Sequence, residues 1–305
     1  EWTEALDLWR EAVSPHLSDA AAPDANDQAI LLQSLLGAWP LELLEDVDRK
    51  QLASFQERME AYVTKSLREA KRHTTWINPN EAYESAALEL LRSVLQPGGS
   101  FIERFAPLAR RLSFLGMLNG LSRTVLKLTL PGVPDIYQGT EFWDFSLVDP
   151  DNRRPVDYAA RIKALGKTDS LETLIENWSD GRIKQRIHTT LLHERARAPE
   201  LYSEGDYESL AVHGRQASCL LAFARQHGSE SLAVVVPRLW SRLAEKNRLP
   251  LDNAVWSDTT VALPEGRWRN VITGADVTIQ GDGGRAGDLL TPLPFAVLRR
   301  QDAMD

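Results

Sequence analysis

Residues 130–158 read LPGVPDIYQGTEFWDFSLVDPDNRRPVDY, and no other stretch gathers as many groups able to do chemistry. The carboxylates Glu141, Asp144, Asp149 and Asp151 lie among Tyr137, Trp143 and other aromatic residues, with the amide Gln138 before them and the Arg153-Arg154 pair after. Guanidinium groups offer planar forks of donors, carboxylates accept, and amides do both. Aromatic faces against sugar C–H surfaces, with such polar groups against hydroxyls, are what a carbohydrate site requires. Glu141 could also form a catalytic pair with Asp144, Asp149 or Asp151, since close like charges raise one pKa and make an acid. The alternative is local: Asp149 and Asp151 pair with Arg153 and Arg154 to stiffen a loop, and Glu141 anchors it through hydrogen bonds. Both hold together where supporting groups fix the ligand-facing ones.

Three other places carry reactive residue types. His73 and Trp76 lie in HTTWINP, which interrupts a helical pattern. Either they face a ligand, or Trp76 packs a helix junction while His73 is a surface residue. His188 and His193 are five apart in a helical stretch and so on different faces, whereas helical metal ligands commonly sit at i, i+4. No metal site is expected there. Cys219 is the only cysteine, in ASCLLAFA, which reads as a buried strand. A structural thiol is expected. One cysteine excludes an intramolecular disulfide and fits a reducing compartment.

The elements that must position these residues change texture along the chain. Residues 2–13, 51–71, 82–95 and a long stretch from Phe101 towards Pro131 show helical periodicity. Asn26-Asp27 is the expected cap of a further helix ended by Gly37 and Pro40. In residues 51–71 the apolar stripe is Leu52, Phe55, Met59, Val63 and Leu67, and the charged residues form the solvated face. In the long helix Phe105, Leu108, Leu112, Leu115 and Leu118 are expected inward. Pro131-Gly132 ends it, and Val133–Tyr137 suits a short buried strand bounded by Gly139. Helices are expected at 157–165, 170–178 and 181–197. From Glu208 short apolar runs alternate with Gly, Asp, Asn and Pro, Gly281-Asp282-Gly283-Gly284 supplying one turn. That is the spacing of an antiparallel β-sandwich.

Composition narrows the classes. With 43% hydrophobic and 26% charged residues the chain is that of a soluble globular protein. Its net charge of −8, from 35 basic and 43 acidic residues, argues against nucleic acid as a partner. No apolar run approaches the roughly 20 residues of a membrane span, and no signal peptide opens the chain. A cytoplasmic location is the simple expectation. The first residue is Glu1 rather than methionine, which suggests a fragment.

The run GVPDIYQGTE resembles the last-barrel-strand motif of the α-amylase superfamily. Its continuation FWDFSLVDPDNRRPVDY, with GAWP at 37–40, KRHTTWINPNEAYE at 71–84, Pro237-Arg238-Leu239 and LPFAVL at 293–298, resembles the maltooligosyltrehalose synthase family within it. The resemblance runs through nearly the whole chain. It implies an α+β multi-domain fold: the C-terminal end of a (β/α)8 barrel with helical insertions over 1–165, a helical connector over 166–207, and an antiparallel β-sandwich over 208–305. It implies intramolecular transglycosylation, in which the reducing-end α-1,4 bond of a maltooligosaccharide becomes an α,α-1,1 bond, without metal or organic cofactor.

Retaining glycoside chemistry needs two carboxyl groups about 5–5.5 Å apart. The superfamily's Arg-x-Asp segment and His-Asp pair are missing here; the sole Arg-x-Asp is Arg300-Gln301-Asp302, out of order at the end. No nucleophile, acid/base or other catalytic residue is therefore expected in this chain. The implied partners are an α-1,4-glucan and the N-terminal portion of the same enzyme. The expected substrate-cleft residues are Tyr137, Gln138, Glu141, Trp143, Asp149, Asp151, Arg153, Arg154, His73 and Trp76. Rival readings are another hydrolase or transferase of the superfamily, and a non-catalytic glucan-binding module.

Overall fold

The computed structural model describes residues 2–17, 22–45, 47–244, 249, 253–281 and 283–301. Asp282 and Asp302 lie outside the described residues. Contact density groups the chain into two units, Glu1–Ser113 with Asp144–Val156, and Phe114–Trp143 with Asp157–Asp305.

The first unit is helical: α1 (Trp2–Val13), α2 (Ala25–Ala38), α3 (Arg49–Ala70), α4 (Glu81–Val94) and the opening turns of α5 (Ser100–Thr129), whose later turns belong to the second unit. Side-chain oxygens of Asp24, Asp48 and Asn80 accept from the backbone N–H three residues on, satisfying groups that a helix start leaves unpaired. The cap of α2 is thus Asp24, not Asn26 or Asp27, which already lie in the first turn, where the Asp27 carboxylate accepts from the Tyr83 hydroxyl at 2.6 Å. Gly37 lies inside that helix rather than ending it. The buried face of α3 is the expected stripe from Leu52 to Leu67. It meets an aromatic cluster in which Trp39 lies 5.4 Å from Phe55 and 4.7 Å from Phe105, and Trp9 lies 5.2 Å from Phe105.

Along α5, Leu112 is exposed and Leu108 half-buried, contrary to the inward stripe expected of them. Phe101, Phe105 and Ala109 recur every fourth residue, and Phe114, Met117 and Leu118 then serve the second core. Leu112 falls where the buried face changes.

In the second unit α6 (Tyr158–Leu165), α7 (Leu171–Glu176), α8 (Arg182–Arg197) and α9 (Pro199–Ser203) lead into β1 (Asp206–Ser209), β2 (Val212–His213), β3 (Leu220–His227), β4 (Glu230–Pro237), β5 (Thr260–Val261), β6 (Gly266–Asn270), β7 (Asp276–Ile279), β8 (Gly284–Arg285) and β9 (Ala296–Arg300). They form a six-stranded sheet, β1-β3-β4-β9-β6-β7, and a three-stranded sheet, β2-β5-β8, with every pairing antiparallel. Central β4 is buried from Leu232 through Val236, so its sequence is a continuous apolar run rather than an alternation. Phe223, Val234 and Phe295 from the sheet region share one core with Leu118, Leu121, Val125 and Leu128 of α5 and Ile183, Ile187 and Leu191 of α8. Cys219 is buried in a single helical turn just before β3.

Candidate functional site

Residues 131–143 form a loop, not the short buried strand that their sequence suggests. Val133 is 95% exposed and Tyr137 61% exposed, and no described strand pairs with this segment. A strand exists only through its ladder, and residue type alone cannot supply a neighbour.

Cationic side chains take the place of that ladder on the loop's carbonyl oxygens. From α5, Lys127 Nζ donates to Asp135 O at 3.2 Å, and from α6, Arg161 Nε donates to Gly139 O at 3.1 Å. Two more come from α8: Lys184 Nζ donates to Phe142 O at 3.0 Å, and Arg195 donates to Gly132 O at 3.2 Å and Leu128 O at 2.9 Å. Arg161 also lies 3.4 Å from the Glu141 carboxylate and 4.8 Å from the centre of the Phe142 ring. Trp143 donates its indole N–H to Trp178 O at 2.6 Å, and Lys184 Nζ sits 5.5 Å from its ring centre. Gly181, at φ 79°, lets the chain pass Phe142: a Cβ there would lie 3.0 Å from the Phe142 Cβ.

At the tip, Gln138 adopts a left-handed φ of 51°, which is uncommon outside glycine. The Thr140 N–H and hydroxyl both donate to Tyr137 O, at 3.2 and 2.9 Å, closing the turn that displays the Tyr137 ring. His188 of α8, within the electrostatic reach of Lys127, Lys184 and Glu141, is 1% exposed. Its Nδ1–H donates to Lys184 O at 3.1 Å, and its buried Nε2 has no hydrogen-bond partner among the described residues. Burial, with the nearby Lys127 and Lys184 charges, pushes its pKa down to about 4.

The continuation of the motif belongs to the other unit. Asp151 accepts both prongs of the Arg58 fork at 2.8 Å and the Leu147 N–H at 2.7 Å. Arg58 also donates to Phe145 O at 2.9 Å, and Arg154 Nε lies 3.0 Å from the Asp151 carboxylate. Burial alone would raise the Asp151 pKa, but the Arg58 fork, the Leu147 N–H and Arg154 together hold it below the usual carboxylate range. Asp149 pairs with Arg153, whose side chain is 74% exposed. Asp144 accepts from the Ser146 N–H at 2.9 Å.

His73 is tied to Asp24 at 2.8 Å and stacks on Tyr83 with centroids 4.3 Å apart. Ligand atoms of Asp24, Asp27 and His73 lie within 4.8 Å of one another, but Arg72 at 2.7 Å from Asp24 and Tyr83 on Asp27 already engage both carboxylates. Trp76 is 55% exposed over the Arg68 guanidinium, 5.0 Å away, which forks onto Glu84 at 2.9 and 2.7 Å.

The ten expected residues therefore divide. Tyr137, Gln138, Glu141 and Trp143 belong to one unit; His73, Trp76, Asp149, Asp151, Arg153 and Arg154 belong to the other. Glu141, Asp151 and His73 are anchors engaged by neighbouring side chains, and the indole N–H of Trp143 is engaged by the backbone. Tyr137, Trp76 and Arg153 present their side chains to solvent. A carboxylate acid pair gains no support: Glu141 has a guanidinium partner, and the Asp151 pKa moves down, opposite to an acid's need.

Arg58 and Arg68 are corrections too, since the charged residues of α3 read as a solvated face. Nothing local in the sequence marks Arg58 as the partner of a residue 93 positions away. Lys127, Arg161, Lys184 and Arg195 were equally illegible, because their acceptors are backbone carbonyls that exist only once the loop is placed.

Comparison with known proteins follows the same chain throughout. No family model matches. A curated protein of Mycobacterium tuberculosis (strain CDC 1551 / Oshkosh) named as a maltooligosyl trehalose synthase is 34% identical over 296 residues, which is 97% of this chain and 34% of that protein. The solved maltooligosyltrehalose synthase from Arthrobacter ramosus is 30% identical with a TM-score of 0.72, over 97% of this chain and 35% of its own. A further solved maltooligosyl trehalose synthase is 26% identical with a TM-score of 0.73, over 98% of this chain and 36% of its own. The chain thus spans about a third of the length of the relatives it matches.

Proposed function

The chain belongs to the maltooligosyltrehalose synthase family as a C-terminal portion, and from that premise we propose that the whole enzyme rearranges α-1,4-glucans. The reducing-end α-1,4 bond of a maltooligosaccharide is broken and the released glucose is rejoined through an α,α-1,1 bond, by way of a covalent intermediate shielded from water. The observation that carries this reading is a likeness of sequence and fold over 97% of the chain.

In the intact protein residues 1–165 supply the end of an α-amylase-type barrel with its helical insertion, 166–207 a connector, and 208–305 a terminal β-sandwich. Exposed apolar side chains such as Val133 and Ile162, at 95% and 69%, are what part of a larger protein presents. The buried Cys219 thiol fits a reducing compartment such as the cytoplasm.

Within that enzyme this chain supplies glucan-contacting wall rather than the reacting carboxylates. In one unit Tyr137 and Gln138 meet the sugar and Glu141 and Trp143 hold the loop that carries them; in the other, Trp76 and Arg153 meet it, and Asp149, Asp151, Arg154 and His73 fix their surroundings. By itself the chain is expected to leave glucan unturned.

The test is incubation with maltopentaose, following reducing ends and products, for the chain alone and together with the remaining portion of such an enzyme. No turnover alone and a non-reducing product with the remainder is the expected result. Turnover by the chain alone would place the catalytic carboxylates here and overturn the assignment. In the full-length enzyme, Arg153→Ala is expected to lower isomerisation by about tenfold or more through lost positioning. Stability should change by no more than about 0.5 kcal/mol, because the side chain is largely exposed.

A further inference from the structure

His188 is buried, yet half of its ring chemistry is unused. Nδ1–H is committed to Lys184 O, so the neutral ring carries a lone pair on Nε2, which has no hydrogen-bond partner among the described residues. The charged groups around it are Lys127 from α5, Lys184 one turn earlier on α8, and Glu141 from the loop. Glu141 is already paired with Arg161, while the two lysines hold Asp135 O and Phe142 O, seven residues apart along the loop. A proton on Nε2 would add a third positive charge within the field of two ammonium groups, away from water.

We propose that His188 is the positioning residue of loop 131–143: a neutral ring leaves Lys127 and Lys184 on the loop's carbonyl oxygens, and a protonated ring releases them. The device is a latch sensitive to acid, on a loop with residues that our reading places against glucan. Its physics does not depend on that reading.

Linkage sets the size of the effect. In the closed loop the ring titrates at about 4, because it is desolvated between Lys127 and Lys184. In an open loop, with ring and lysines in water, it returns to an ordinary value of about 6.5. Above that pH both states are neutral and opening is indifferent to pH. Between the two values the open state binds a proton that the closed state refuses, so opening becomes about tenfold easier per pH unit. Below the lower value both are protonated and the dependence ends.

Hydrogen exchange on this chain reads it directly. The Thr140 and Phe142 amides are hydrogen-bonded inside the loop, to Tyr137 O and Gly139 O, and report its opening. With intrinsic chemical rates divided out, protection of peptides covering 131–143 is expected to be level above about pH 7. It should fall by about fivefold between roughly pH 6.5 and 5.5. His188→Gln, which keeps a neutral polar side chain, should leave it level throughout. A level profile in the unaltered chain overturns the proposal without any variant, and so does a slope that survives His188→Gln. Should that variant not fold, Lys127→Met serves: with one ammonium gone, the slope should end at a higher pH, and an unchanged profile counts against the latch. Because the amides themselves are followed, failure here and failure of the glucan assignment are separate results.

Discussion

At the scale of single residues, several charges here hold backbone as well as other charges. Asp151 shows the consequence. Its carboxylate carries the Arg58 fork and the Leu147 N–H with little exposure to water, so removing its charge leaves a half-buried guanidinium without its partner. Asp151→Asn is expected to cost about 2–3 kcal/mol, read by urea denaturation. The pH sign follows from a depressed folded pKa: the contribution is fully present above the unfolded value of about 3.9 and is lost as pH falls through the folded one. A denaturation series from about pH 6 down to about 3 should therefore fall more gently in Asp151→Asn than in the unaltered chain. Arg153, exposed in the same turn, carries no such stability weight, which is why its proposed role shows in turnover.

At the scale of elements, helix α5 and loop 131–143 differ in what defines them. Helix α5 is specified locally and then packed, and its two halves face different cores. Phe105→Ala, at the centre of the Trp9–Trp39 cluster, should cost about 3–5 kcal/mol, whereas Leu112→Ala, at the exposed changeover, should stay within about 0.5 kcal/mol. Thermal and urea melts of the two variants compare them. The loop is defined from outside, by cations on α5, α6 and α8 and by the passage that Gly181 leaves for Phe142. Gly181→Ala combines a positive φ with a contact of 3.0 Å, and is expected to cost about 1–2 kcal/mol. Hydrogen exchange should then show the loss of protection concentrated at 139–143 and 178–185.

At the scale of the whole molecule, the helical first half, the strands after it and the motif at residues 130–158 were all readable in advance. The apolar stripe of α3 follows from a 3.6-residue period, the strand runs from their bounding turns, and the motif from its residue order. Likeness over 97% of the chain then ties that order to a family. These features are properties of neighbours in sequence, which is why the sequence by itself determined them. The missing strand at Val133–Tyr137 and the pairing of Arg58 with Asp151 are of another kind. So is the orphaned Nε2 of His188. Each depends on which distant group arrives to satisfy a carbonyl, a carboxylate or a ring nitrogen. Only the tertiary structure decides that, because desolvation and hydrogen-bond pairing act through space, and a local pattern does not record which partner will be there.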